Sequence, residues 1–169
     1  MRRIALAAVM ATGVMGVCAA PGSAAATRAE YIAQVDPICQ PFVTPEKNAY
    51  TAYRKDYKEW QRRLSRGTQK AWEGQTHQVY LSLFRYVDLR ATLTDQITAV
   101  SPAREDAATV SQWLTDRNRS ERYAFSAAFA FEAFKFKRYY KLVARSNKYD
   151  AAGYNAISGF GFQACGVSA

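Results

Sequence analysis

Between Thr44 and Arg66 the large apolar residues are Tyr50, Tyr53, Tyr57, Trp60 and Leu64, separated by three, four, three and four positions. A helix turns once every 3.6 residues, so this spacing gathers all five on one stripe, whereas a strand would send Tyr50 and Tyr53 to opposite faces. A stripe this apolar has to be buried against other elements. The chain is therefore constrained to a fold in which several helices share a core.

The flanking signals agree. Thr27 with Glu30 has the spacing of a capping box. Tyr31, Val35, Ile38 and Phe42 continue at helical spacing, while Pro37 and Pro41 predict a kink or a break. Thr44-Pro45-Glu46 then predicts a new helix start, closed by Gly67 and Thr68. A next helix runs from about Gln69 to Val100, with Val79, Leu83, Tyr86, Leu93 and Ile97 on one side. Ser101-Pro102 predicts the start of another long helix. "FAFEAFKFK" within it alternates like a strand, but Phe125, Phe129, Phe136, Tyr139 and Val143 keep the helical register. A shorter helix begins near Asp150 and carries Tyr154 and Ile157, weakened by Gly153, Gly159 and Gly161. The fold expected is all-α: an antiparallel bundle of about four helices with the aromatic stripes as core.

The N-terminus reads as a secretory leader. Arg2 and Arg3 precede an uncharged apolar run from Ile4 to Val17, Pro21 breaks it, and Ala24-Ala25-Ala26 offers small residues for cleavage. The run is shorter than the about 20 residues a membrane span needs. Residues 1–26 are thus expected as a signal peptide and 27–169 as one helical domain, secreted or held at the cell envelope. The alternative is a lipoprotein acylated at Cys18, against which Val17 is bulky for the preceding position.

Cleavage after Ala26 removes 26 of 169 residues and leaves 143, takes the formal charge from +9 to +7 by removing Arg2 and Arg3, and removes all three methionines with Cys18. One histidine and two cysteines remain. That inventory supplies no ligand set for a Met/His haem, a blue-copper site or a Cys/His zinc site, and no cofactor is expected. Neither a G-x-S-x-G nor a P-loop pattern occurs.

In an oxidising compartment the remaining cysteines, Cys39 and Cys165, most simply pair with each other, and an antiparallel bundle brings its first and last helices side by side. "YIAQVDPICQ" and "GFGFQACG" also resemble a loose group of small exported helical proteins of high-GC Gram-positive bacteria. Those carry an "IC" in the first helix and a "GF-x-x-CG" near the terminus. The resemblance implies a helical domain tied end to end by Cys39 and Cys165, and no activity. Pro37 and Pro41 depart from it.

Two constellations could carry chemistry. Glu73 and His77 lie four apart on one helix face and could act as a general base or two metal ligands in a hydrolase or metal-dependent enzyme. The competing reading is a surface pair, because no nucleophile or third ligand is evident. Asp88 and Asp95 read as solvated carboxylates. The basic stretch says more: Lys135, Lys137, Arg138, Lys141, Arg145 and Lys148 occur with no acid between Glu132 and Asp150. Such a face attracts phosphates of anionic lipid, wall polymer or nucleic acid, with nucleic acid last for an exported chain. Its competing reading is a solvated face that keeps the helix soluble. A second cluster, from Arg54 to Arg66, is diluted by Asp56 and Glu59. The reading reached is an exported, non-enzymatic bundle, with an interaction module meeting the exposed tyrosines as a further alternative.

N-terminal sequencing of exported material is expected to read TRAEY; a lipid on Cys18 would instead establish the lipoprotein.

Overall fold

Thr27 opens the first helix with the expected capping box. Its hydroxyl accepts from the Glu30 N–H and the Glu30 carboxylate accepts from the Thr27 N–H, both at 3.2 Å. The computed structural model describes residues 25, 27–67 and 69–165, so the expected signal peptide lies outside the described residues except for Ala25. Four helices follow: α1 (Arg28–Arg66), α2 (Gln69–Thr98), α3 (Ala107–Glu132) and α4 (Phe136–Ile157), with no strand among the described residues. They run antiparallel in sequence order, joined by short turns. The all-α bundle with one disulfide is the architecture.

Its helix boundaries differ from the expected ones in three places. First, α1 runs unbroken through Pro37, Pro41 and Pro45, with no new start at Thr44. Spacing by four keeps the three prolines near one side, and all three are exposed. Each removes one i→i−4 bond, but the carbonyls that lose a donor belong to Ala33, Pro37 and Pro41, which face water. On the inner side Tyr31, Val35 and Cys39 are fully buried and hold the helix to the core. Second, α3 starts at Ala107 and not at Ser101, and the carboxylate of its N-cap Asp106 makes no cap bond, being taken by the Arg28 guanidinium (2.6 and 3.1 Å). Third, the chain turns between α3 and α4 within "FAFEAFKFK". The Lys135 N–H bonds the Ala130 carbonyl at 2.8 Å and the Phe134 N–H the Phe131 carbonyl at 2.9 Å. This is a Schellman closure whose left-handed residue, normally glycine, is Phe134 at φ 55°. Tyr154 and Ile157 consequently end α4 and form no separate helix.

The apolar side of α3 also differs from expectation. Phe129 is 54% exposed, and the buried seam is Val110, Trp113, Ala127 and Phe131. Phe125 and Phe129 stack outside it against Tyr80 and Phe84 of α2. The α1 stripe is buried at Trp60, but Leu64 is 48% exposed.

Two apolar clusters form, one at each end. Tyr31, Val35, Leu93, Ile97, Trp113 and Ile157 build the first; Trp60, Val79, Leu83, Ala127, Phe131 and Tyr139 build the second. The segment after α4 caps the first. Phe160 and Phe162 meet the Tyr31 ring edge-on at 6.1 Å each. The Asp36 carboxylate accepts from the backbone N–H groups of Gln163, Ala164 and Cys165 at 2.9, 3.0 and 3.4 Å. Cys165 then closes a disulfide to Cys39 with Cα atoms 5.2 Å apart and 126 positions between them. The pairing expected from the sequence is present, made by this tail and not by α4 itself.

Closing so long a loop stabilises by about 4–5 kcal/mol in the chain-entropy description. Cys165→Ser is expected to lower the melting temperature in oxidising buffer and to match wild type once both are reduced. Two titratable thiols in unfolded, non-reduced wild type would contradict the bond.

Candidate functional site

All six cations of the expected anion-binding set, Lys135, Lys137, Arg138, Lys141, Arg145 and Lys148, are exposed on α4 or the turn before it. None takes part in an ion pair among the described residues. Arg145 lies over the Tyr123 ring at 5.7 Å. The first four surround a shallow apolar groove floored by Phe134 and Phe136. Phe134 is 47% exposed, its ring edge-on to Trp72 at 5.5 Å. A non-glycine residue in the left-handed region costs about 1–2 kcal/mol, so the turn holds an aromatic ring outward at some expense.

The basic cluster of α1 ends at this same end of the bundle, but part of it is neutralised. Glu59 accepts from Arg62 and Arg63 at 2.7–2.8 Å, and hydrogen bonds from Arg62 and then Arg63 hold its carboxyl down at about 2.

Of the other expected pair, His77 sits exposed on α2, and its Nδ1 is 2.8 Å from Glu132 Oε1 of α3. Glu132 was not singled out in the sequence because it is 55 positions away. The described residues contain no group of three or more His, Cys, Asp or Glu side chains able to hold a metal ion. Asp88 and Asp95 are exposed, as expected.

A third concentration of polar groups was not anticipated. Each helix places polar residues on its inward side at the same level, between the two apolar clusters: Glu46 on α1, Arg90 on α2, Arg117 and Glu121 on α3, Ser146 and Asp150 on α4. They line a cavity of about 550 Å³ that also reaches Tyr50, Tyr86 and Cys165. The signal lay in the seams themselves. Val87, Arg90 and Thr94, and Trp113, Arg117 and Ser120, keep three- and four-residue spacing, so the polar members occupy core positions.

Part of this layer is closed upon itself. Arg90 bonds the Tyr86 hydroxyl at 2.9 Å and the Asp150 carboxylate. Arg117 Nε donates to the Thr94 hydroxyl at 2.9 Å, which donates to Glu121 Oε1 at 2.6 Å. Ser146 donates to the Ser120 carbonyl at 3.0 Å. Burial pushes the Glu121 carboxyl up, against the pull of Arg117, and burial followed by the like charge of Arg90 pushes Arg117 down. Of five buried side-chain atoms without a protein partner among the described residues, three belong to this layer, Glu46 Oε1, Arg90 Nε and Arg117 Nη2; the other two are Tyr31 Oη and Glu132 Oε2. Leaving such a group unpaired costs about 1–3 kcal/mol, more when it is charged.

Along the opening of the cavity no Cα of α1 comes within 8 Å of one in α4. Side chains cross instead: the hydroxyls of Tyr53 and Tyr139 (2.7 Å) and of Tyr57 and Tyr140 (3.0 Å) are hydrogen-bonded, and Trp60 packs on Phe136 at 5.1 Å. Burial, and then the neighbouring Tyr53, raise the Tyr139 phenol above its ordinary range, and burial likewise raises Tyr53 and Tyr57.

Comparison with family models, with curated proteins and with solved structures yields no match for this chain.

An exposed pair such as His77–Glu132 is worth about 0–1 kcal/mol. His77→Gln is expected to shift stability by no more than about 0.5 kcal/mol and to leave any cellular phenotype intact. A phenotype equal to gene deletion in a stably folded His77→Gln protein would favour the enzyme reading.

Proposed function

We propose that this protein is an exported, non-catalytic helical bundle that docks on the anionic lipid of the cell envelope through its basic α3–α4 end. The observation that carries the reading is Phe134: an outward aromatic ring in a strained backbone conformation, ringed by Lys135, Lys137, Arg138 and Lys141. Cations alone would suit lipid, wall polymer or plain solubility equally. An aromatic ring at the centre of the cationic patch favours lipid, because its apolar face can enter the headgroup boundary while the cations remain among phosphates. A polymer of phosphates in water offers that ring nothing to enter.

The magnitudes suffice for reversible docking. A cation near an anionic membrane surface contributes about 1 kcal/mol, and the Debye length is about 8 Å at physiological salt. Binding by four to six cations with one buried ring is therefore salt-sensitive and reversible. No helix among the described residues is long and apolar enough to cross a membrane, so docking would be peripheral.

Phe134→Gly separates the two roles of this residue. Relief of the left-handed strain is expected to raise the melting temperature, while sedimentation with anionic vesicles weakens. Arg138→Glu with Lys141→Glu is expected to abolish sedimentation without unfolding, since both side chains are exposed, and raised salt should do the same to wild type. Wild type that sediments with purified anionic wall polymer but not with vesicles would transfer the function to the wall. Wild type that binds neither at low salt would leave the patch a solubility device.

A further inference from the structure

We infer that the cavity between α1 and α4 is a binding site for a small zwitterion with an aromatic group, an amino acid or a short peptide, its carboxylate against Arg90 and Arg117 and its ammonium against Glu46.

The argument begins from what the protein leaves unpaired. Arg90 Nε and Arg117 Nη2 are donors and Glu46 Oε1 is an acceptor, all three buried and all on residues that line one cavity. A polar layer that served only to fix helix register would close its hydrogen bonds internally. This one closes some of them: Asp150 is taken by Arg90, and Glu121 by Thr94. What remains is a guanidinium edge and a carboxylate oxygen with opposite requirements.

Charge then selects among ligands. A simple anion would meet the guanidinium donors but bring its charge into the field of Glu46. A simple cation would satisfy Glu46 and leave both guanidinium donors unmet. A molecule carrying both charges satisfies all three atoms, since the two oxygens of one carboxylate can accept one bond each from Arg90 Nε and Arg117 Nη2. The rim adds the exposed cations Arg54 and Lys58, which would draw the carboxylate end inward first.

Size and wall chemistry set the rest. A cavity of about 550 Å³ falls within the range of small-molecule sites. It is too large for an isolated ion and suits an amino acid or a dipeptide. Tyr50 and Tyr86 lie 5.3 Å apart, centroid to centroid, on its wall. Their rings offer a surface on which a ligand's aromatic group can pack. Entry lies between α1 and α4, where no backbone approaches closely and the Tyr53–Tyr139 and Tyr57–Tyr140 hydroxyl pairs cross. Tyr140, the exposed member, is the side chain free to swing aside, while Tyr139 stays packed on Phe131.

This site shares no lining residue with the basic groove and does not depend on lipid docking. The test is calorimetric titration of the exported protein with L-phenylalanine, the dipeptide Phe-Phe, N-acetyl-L-phenylalanine and L-phenylalanine amide. The amino acid or the dipeptide is expected to bind at least tenfold more tightly than its blocked forms, and whichever binds identifies the source. Glu46→Gln is expected to bring the N-acetyl compound to within about threefold of the free one. Arg117→Lys, which keeps the charge but not the fork, is expected to weaken the zwitterion at least tenfold with the circular dichroism unchanged. Failure of both zwitterions to bind the folded protein, or equal binding of the blocked compounds to wild type, would overturn the inference.

Discussion

The clasp between α1 and the segment after α4 is the interaction on which the rest of the bundle depends. The other three sides close by direct helix packing, α1 on α2, α2 on α3 and α3 on α4. The fourth does not, because a polar cavity separates α1 from α4. Two tyrosine pairs across it contribute about 1 kcal/mol each as hydrogen bonds, too little to hold a side of the molecule. Asp36 and Cys39 supply what is missing by holding the backbone of Gln163 to Cys165 and the sulfur of Cys165. With that end fixed, and Trp60 packed on Phe131 at 4.9 Å near the other, the middle can stay open.

The same clasp accounts for the first helix. Three prolines inside one helix cost about 3 kcal/mol each, through the lost bond and the clash of the ring with the carbonyl four residues back. They are tolerated because those carbonyls face water while Tyr31, Val35 and Cys39 lock the opposite side into the core. The sequence rule that a proline ends a helix is a rule about local cost, and here tertiary burial outweighs it. That is why a break was expected at Pro37 and Pro41 and a fresh start at Thr44. The expected count of about four agrees with the structure, although surplus starts were expected at Thr44 and near Asp150 and one turn, within "FAFEAFKFK", was missed. Its left-handed position holds Phe134 and not the glycine that signals such a closure.

The inward faces were legible wherever they were large and apolar. Trp60, Val79, Leu83 and Ile97 are buried as their spacing requires. In α3 size misled: Phe125 and Phe129 are larger than Ala127 and Ala128, yet the alanines and Phe131 face the core while Phe125 and Phe129 pack beside Phe84. Arg90 and Arg117 were invisible for the converse reason. A charged residue at a seam position is normally read as an interruption of the stripe, and only three-dimensional alignment of four such interruptions makes a layer. The cations of α4 were legible as a face; their relation to an outward Phe134 was not, because it depends on the backbone conformation of one residue.

A chain that specifies one structure tends to satisfy every local preference, and departures gather where function is built. Besides the prolines of α1, this protein departs in two places that lie outside the clasp. At the α3–α4 turn it keeps an aromatic ring where glycine would cost less. In the middle layer it keeps buried donors and an acceptor with no protein partner, where apolar side chains would pack as well as they do at either end. The Phe134 ring does pack on Trp72 and Phe136 at the edge of the second cluster, but neither departure serves the clasp. A surface that holds a membrane and a cavity that holds a polar ligand are each a physical reason to retain such costs. Their separation, one at the tip and one amid the bundle, means either could be altered with the other intact. An exported bundle with both would present its cavity mouth beside the membrane, not within it, because α1 and α4 part along their lengths while the aromatic tip lies at the end.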